Sequence, residues 1–195
     1  PAVLPFELKL GSHVLSGSLD RIYPQGAARI VLGEMRGRHH CMQGLDALLL
    51  SALHPEIPLV EFAELKKGEP LQRVRPTHEK EAAIRQLSVL MDLFIEGQTR
   101  PLAFHPDVGF SYFKQASVDE AGINEKAWEQ AAEAMPKHDL WWATAMRGND
   151  PFLDQGDQGE QGDSFDKRMA FHETSMSVFR ACAPEFLGSG EDTDD

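Results

Sequence analysis

Cysteine is almost missing from the 195-residue chain: Cys41 and Cys182 are the whole complement. Two thiols cannot build a disulfide framework, and a reducing cytoplasm is the compartment they fit. Long apolar runs are missing too. The greasiest stretch, Leu45 to Leu53, is broken by Asp46 and Ser51 and falls short of the ~18–20 residues needed to cross a bilayer, so no membrane association is expected. No basic segment followed by an apolar block opens the chain, which argues against a secretory leader. A start at Pro1 without Met suggests a piece of something longer. Positive charge is scarce, with 19 Lys+Arg against 31 Asp+Glu and a net charge of -12.

That deficit is placed unevenly. Residues 1–100 carry 12 basic against 12 acidic side chains, and residues 101–195 carry 7 against 19. An acidic half repels phosphate backbones, so a chain that wraps nucleic acid with both halves is not expected. Any DNA contact falls to the first half, through Arg21, Arg29, Arg36, Arg38, Arg73 or Arg75. Scattered arginine is equally ordinary solvated surface.

Most motifs of chemistry are also lacking. No glycine-rich phosphate loop is present, so no ATP site is expected in this segment. His78-Glu79 and His172-Glu173 begin like a zinc-protease helix, but Ala82 and Met176 stand where the second His belongs. His39-His40-Cys41 has no second ligand cluster at metal spacing. Gly17-Ser18 and Ser164 lack the strand–turn–helix context of a hydrolase elbow. Asp154, Asp157, Glu160 and Asp163 alternate with Gln and Gly, without the terminal bidentate Glu of a calcium loop.

What is present is a globular balance, 42% hydrophobic and 26% charged, with 11 Phe and 3 Trp. Alternation predicts strands over Val3–Leu10 and Val14–Ile22 around a Gly11-Ser12 turn, then a third over Ala28–Leu32. A helix follows from about His40 to Leu53, its apolar side made by Met42, Leu45, Leu48, Leu49, Ala52 and Leu53, with Pro55 as its stop. Leu59–Leu65 and Leu71–Arg75 alternate again around a Lys67-Gly68 turn. Thr77 is the expected cap of a helix from His78 to Glu96 that carries Ile84, Leu87, Leu90, Met91, Phe94 and Ile95 and ends at Gly97. Asn124 caps a further helix with Ala127, Trp128 and Ala131. His138–Met146 reads as a short helix, and Ser164–Ala181 as a last one with Met169, His172, Met176 and Phe179 on one stripe.

The fold class is therefore α/β, a mixed β-sheet flanked by helices with a helical second half. The expected organisation is one domain over residues 1–184, β-rich with one helix to residue 76 and helical from 77. An acidic flexible loop over 149–163 and a disordered acidic tail over 185–195 complete it.

One constellation points to chemistry. Asp20 lies near the end of the second strand, and Glu34-Met35-Arg36 follows the third, ahead of a helix carrying Gln43. Two adjacent strands can bring paired acids onto one hard divalent cation, which would polarise a phosphodiester and acidify a bound water. This is similar to the skeleton of PD-(D/E)xK nucleases, where a Lys stands two places after the second acid. Here that place holds Arg36, whose fixed planar charge is a poor substitute for a lysine that orients or activates water. Asp20 could equally pair with Arg21 or Arg29, and Glu34 with Arg36. Trp128, Trp141 and Trp142 read first as core residues; exposed beside Phe110, Tyr112 and Phe113 they would instead mark a subunit interface.

The ordered set Gly17-Ser18-Leu19, Gly44-Leu45-Asp46-Ala47-Leu48-Leu49, Phe94-Ile95-Glu96-Gly97, Arg100-Pro101-Leu102 and Arg147-Gly148-Asn149-Asp150-Pro151 resembles the C-terminal region of the RecC family. RecC is the gamma subunit of bacterial exodeoxyribonuclease V, and the resemblance runs from Val14 to about Pro184. It implies a nuclease-like domain that has lost catalysis, with Asp20, Glu34 and Arg36 as vestiges. It also implies a heterotrimer that repairs double-strand breaks, the alpha subunit RecD and the beta subunit RecB as partners, and duplex ends as the DNA. The working nuclease is then on RecB, and ATP and magnesium belong to the other subunits. The rival expectations are an active metal-dependent nuclease using Asp20 and Glu34, and a protein-interaction module centred on Trp141, Trp142 and the Phe110–Phe113 aromatics.

Overall fold

The computed structural model describes residues 1–64, 70–116, 123–135, 142, 144, 146, 151–152, 161–187 and 189. The chain divides into two compact units, Pro1–Asp92 and Leu93–Asp195, so the expected division at residue 76 falls inside the first.

The first unit is a five-stranded mixed sheet in the order β1 (Ala2–Leu10), β2 (His13–Tyr23), β3 (Gly26–Glu34), β4 (Leu59–Glu64), β5 (Pro70–Arg75). β1–β2, β2–β3 and β4–β5 are antiparallel; β3 and β4 are parallel and are joined through α1 (Gly37–Leu53). The expected strands and the helix stop at Pro55 hold. Lys67 and Gly68 lie outside the described residues. Gly26 opens β3 with φ +138°, and a Cβ there would meet the Pro58 carbonyl oxygen at 2.5 Å. No other residue fits where the β2–β3 turn presses on the approach to β4.

Two irregularities shape the sheet. Between Leu4↔Leu19 and Ala2↔Ile22 the register slips, and Arg21 adopts φ +55° at the bulge. Beyond it, the described ladder between β2 and β3 holds only at Ile22↔Ala27 and Tyr23↔Gly26. The rest of β2 pairs with β1 alone, as a two-stranded ribbon. On the other side β3 bulges between Ile30↔Phe62 and Glu34↔Glu64, with Gly33 at φ +97°.

α1 does not bury the stripe that its periodicity suggests. Met42 and Leu45 are exposed, while His40, Gln43, Gly44, Ala47 and Leu50 are buried with Leu48, Leu49 and Ala52. The polar anchor Asp46 explains the rotation, because it turns toward Arg29 on β3. His39 Nδ1 accepts the Arg36 N–H at 3.0 Å, closing the helix start three residues earlier than expected. α2 (Lys80–Thr99) is not capped by Thr77; instead the His78 N–H donates to Ser51 Oγ on α1 at 3.0 Å. Glu79 and Glu81 crowd its first turn, and their mutual hydrogen bond raises the Glu79 carboxyl while lowering that of Glu81. Gly97 is an interior residue rather than a cap, and Phe94 is exposed.

The second unit is helical: α3 (Pro106–Gln115), α4 (Glu125–Ala134), α5 (Gln161–Cys182) and a 3-10 turn, Pro184–Phe186. Asn124 caps α4 as expected, its Oδ1 accepting the Ala127 N–H at 2.9 Å. α3 packs on α4 and α5, and Tyr112, Phe113, Phe171 and Phe179 are fully buried there. His172, Met176 and Phe179 of the expected stripe are buried, and Met169 is half-buried. The loop and tail boundaries need correction. α5 begins at Gln161, inside the expected loop, and Phe152 stacks on Trp128 at 4.5 Å. Phe186, inside the expected tail, packs edge-on against Phe110 at 5.4 Å. Asp154, Asp157 and Glu160 lie outside the described residues, as does most of the expected 138–146 helix, although Trp142, Thr144 and Met146 are helical. No helix among the described residues is long and apolar enough to cross a membrane.

Candidate functional site

Register dictates which side chains meet, because directly paired residues share a face of the sheet. Two rows run across the inner face: Ala27–Leu59–Arg75 and Arg29–Glu61–Arg73. α1 adds Asp46 to this face, and β2 adds Asp20 from the point where it parts from β3. The result is two neighbouring clusters, Arg29 with Asp20 and Asp46, and Glu61 with Arg73 and Arg75. Glu61 is fully buried and accepts from Arg73 Nε at 2.5 Å and from Arg75 Nε at 2.6 Å. Arg29, with 12% of its side chain exposed, joins three elements. Its Nε donates to Asp46 Oδ2, one terminal nitrogen donates to the Asp20 and Ala28 carbonyls at 2.9 and 3.0 Å, and the other lies 3.4 Å from Asp20 Oδ1.

This arrangement places the expected acids apart. Asp20 sits at the β2–β3 fork beside Arg29, whereas Glu34 lies past the bulge, beside Glu64 of β4. Four residues of β3 separate Arg29 from Glu34, roughly 15 Å of strand. A shared divalent cation needs both carboxylates within about 2.6 Å of it. Asp20 and Glu34 therefore do not fit a common ion, and no group of three or more His, Cys, Asp or Glu among the described residues could hold one. A guanidinium occupies the position beside Asp20 instead. A guanidinium is a donor with no acceptor site, so it cannot serve as a base toward water.

The DNA-contact candidates separate into two sets. Arg29, Arg73 and Arg75 are neutralised inside the sheet network. Arg21, Arg36 and Arg38 are exposed, the first at the β2 bulge, the others at the start of α1. The interface candidates are corrected as well. Phe110, Tyr112, Phe113 and Trp142 are buried within the second unit, where Phe110 and Phe113 pack on Phe179 at 5.2 and 5.7 Å and Trp142 meets His105 edge-on. Tyr112 hydrogen-bonds His172 Nδ1 at 2.6 Å. Aromatics at helical spacing filled a core here. Trp141 lies outside the described residues.

Sequence reasoning passed over Asp46, Glu61 and Glu64. The signal for Glu61 was available: a charge at an inward position of Leu59–Ala63, with Arg73 and Arg75 at alternate positions of the returning strand.

Compared with known proteins, residues 1–117 match the family described as the RecC C-terminal domain. No curated protein matches the chain.

Proposed function

The chain belongs to the RecC C-terminal domain family, and from that premise we propose a nuclease-like domain without a catalytic centre of its own. It works in the cytoplasm within the gamma subunit of exodeoxyribonuclease V, in repair of double-strand breaks by recombination. Its tasks are to hold the alpha subunit RecD alongside the beta subunit RecB and to form part of the wall that handles the duplex end. Chemistry that requires ATP or magnesium belongs to the other subunits.

The observation that carries this reading is Arg29. A fixed cation holds Asp46 and lies against Asp20 at the fork of β2 and β3, and Glu34 stands farther along the strand. A sheet braced by these ion pairs suits a support, and the group beside Asp20 is a cation rather than a base. DNA contact would fall to Arg21, Arg36 and Arg38, and it would be weak and strongly salt-dependent beside a net charge of -12.

The test uses the assembled enzyme. A gamma subunit lacking these residues should fail to retain the alpha subunit, and Asp20→Ala in the intact enzyme should leave magnesium- or manganese-dependent cleavage unchanged. Normal assembly by the truncated subunit would remove the scaffold role. Cleavage that is lost with Asp20→Ala would instead establish an active metal-dependent nuclease.

A further inference from the structure

The outer face of the sheet is built unlike the inner one. Its cross-strand rows are Ala28–Val60–Val74, Ile30–Phe62–Gln72 and Glu34–Glu64–Pro70. Val60 and Phe62 are half-buried on the central strand, while Ile30 is 57% exposed and Val74 61% exposed. Leu32, at the crest of the β3 bulge between Ile30 and Glu34, is 95% exposed. This is a contiguous apolar strip rather than isolated surface residues, which marks a contact surface. It contains the parallel β3–β4 pair, and sheets of parallel strands are normally covered on both faces. Within the first unit, α1 packs on the inner face.

Size and charge define what fits. Three strands at about 4.8 Å spacing span about 10 Å, the width of one α-helix. At one end of the strip Glu34 and Glu64 are directly paired across β3 and β4, and both are exposed. Like charges directly opposite each other on a sheet oppose pairing until a cation approaches.

We propose that this outer face is the docking surface for an amphipathic helix of a partner subunit, one whose apolar stripe lies over Ile30, Leu32, Phe62 and Val74 and ends in Lys or Arg at Glu34 and Glu64. The proposal rests on the assembly role given above and assigns that role to a surface.

The test is made in the purified three-subunit enzyme with a photo-crosslinking side chain at Leu32 or Val74, and the crosslinked peptide is identified. A helical segment of another subunit with Lys or Arg at the Glu34 end is the expected result. Leu32→Glu with Val74→Glu should weaken retention of that subunit about tenfold or more, and so should Glu34→Lys with Glu64→Lys. These side chains are exposed, so melting temperatures should be unchanged. Crosslinks to DNA, to a second copy of the chain or to nothing would overturn the proposal. So would unchanged retention in the Glu variants. If those variants assemble normally but the truncated gamma subunit does not, the surface assignment fails and the scaffold role survives; if the truncated subunit also assembles, both fail.

Discussion

Arg29 of β3 donates its Nε–H to Asp46 of α1, tying the sheet to the helix that crosses over it. The same guanidinium caps the Asp20 carbonyl where β2 leaves β3. One side chain thus fixes three elements at the fork, and it does so with a planar set of donors aimed in different directions.

Arginine is required there for its shape. Arg29→Lys retains the charge but cannot serve Asp46, Asp20 and Ala28 together. It should cost about 2 kcal/mol, since a charged hydrogen bond contributes about 1.5–3 kcal/mol. Denaturant unfolding of the single variants and of the Arg29→Ala/Asp46→Ala pair would measure the coupling. Strictly additive costs would show that the two side chains act independently.

Glu61 gives the sharpest contrast in the sheet. Glu61→Ala leaves Arg75 buried without its carboxylate and should cost about 3–5 kcal/mol. Glu64→Ala, three residues along the same strand but exposed, should change stability by less than about 0.5 kcal/mol. Thermal unfolding of both variants compares the two positions directly.

Arg21 holds a left-handed backbone conformation that favours glycine, φ +55°. Its side chain is half exposed and lies 4.0 Å from Asp20, an arrangement of little energetic value. Arg21→Gly should therefore raise stability by about 0.5–1 kcal/mol. A drop in melting temperature would mean that the arginine makes a contact worth more than the strain.

In the helical unit, Tyr112→Phe removes the hydroxyl that pairs with His172 Nδ1 at 2.6 Å and accepts the Asn124 N–H at 3.3 Å. The buried imidazole loses that hydrogen bond, with an expected cost of about 1–3 kcal/mol. His172→Phe combined with Tyr112→Phe should recover part of that loss, because both polar groups are then gone.

The sheet was legible because its strands alternate and its turns carry Gly11 and Pro24-Gln25-Gly26. Its bulges were not: nothing in the alternation of Ala28–Leu32 marks two extra residues before Glu34, and that insertion changes which acids become neighbours. The orientation of α1 was misread for a related reason. Periodicity weighs Met42 and Leu45 above Gln43 and Ala47, but the pair Asp46–Arg29 sets the rotation. α3 was missed altogether, since a Gly and four aromatic or β-branched residues in VGFSYF mask a helix whose real signals are Pro106 at its start, Asp107 in its first turn and Lys114 in its last. The vestigial-site reading needed only Asp20 and Glu34 to be named; their separation is a property of register, which one-dimensional spacing does not contain.

From His13 up to Asp20, β2 pairs with a strand on one flank only among the described residues. Handled outside an assembly, such a ribbon offers two rims of bare amide and carbonyl groups to passing chains. Along β1 the rim is guarded by Pro5, Glu7 and Lys9, whereas Ser16-Gly17-Ser18 has neither proline nor charge. Concentrated solutions of this chain should polymerise through that unguarded rim, and a gatekeeper such as Ser16→Lys should keep them clear.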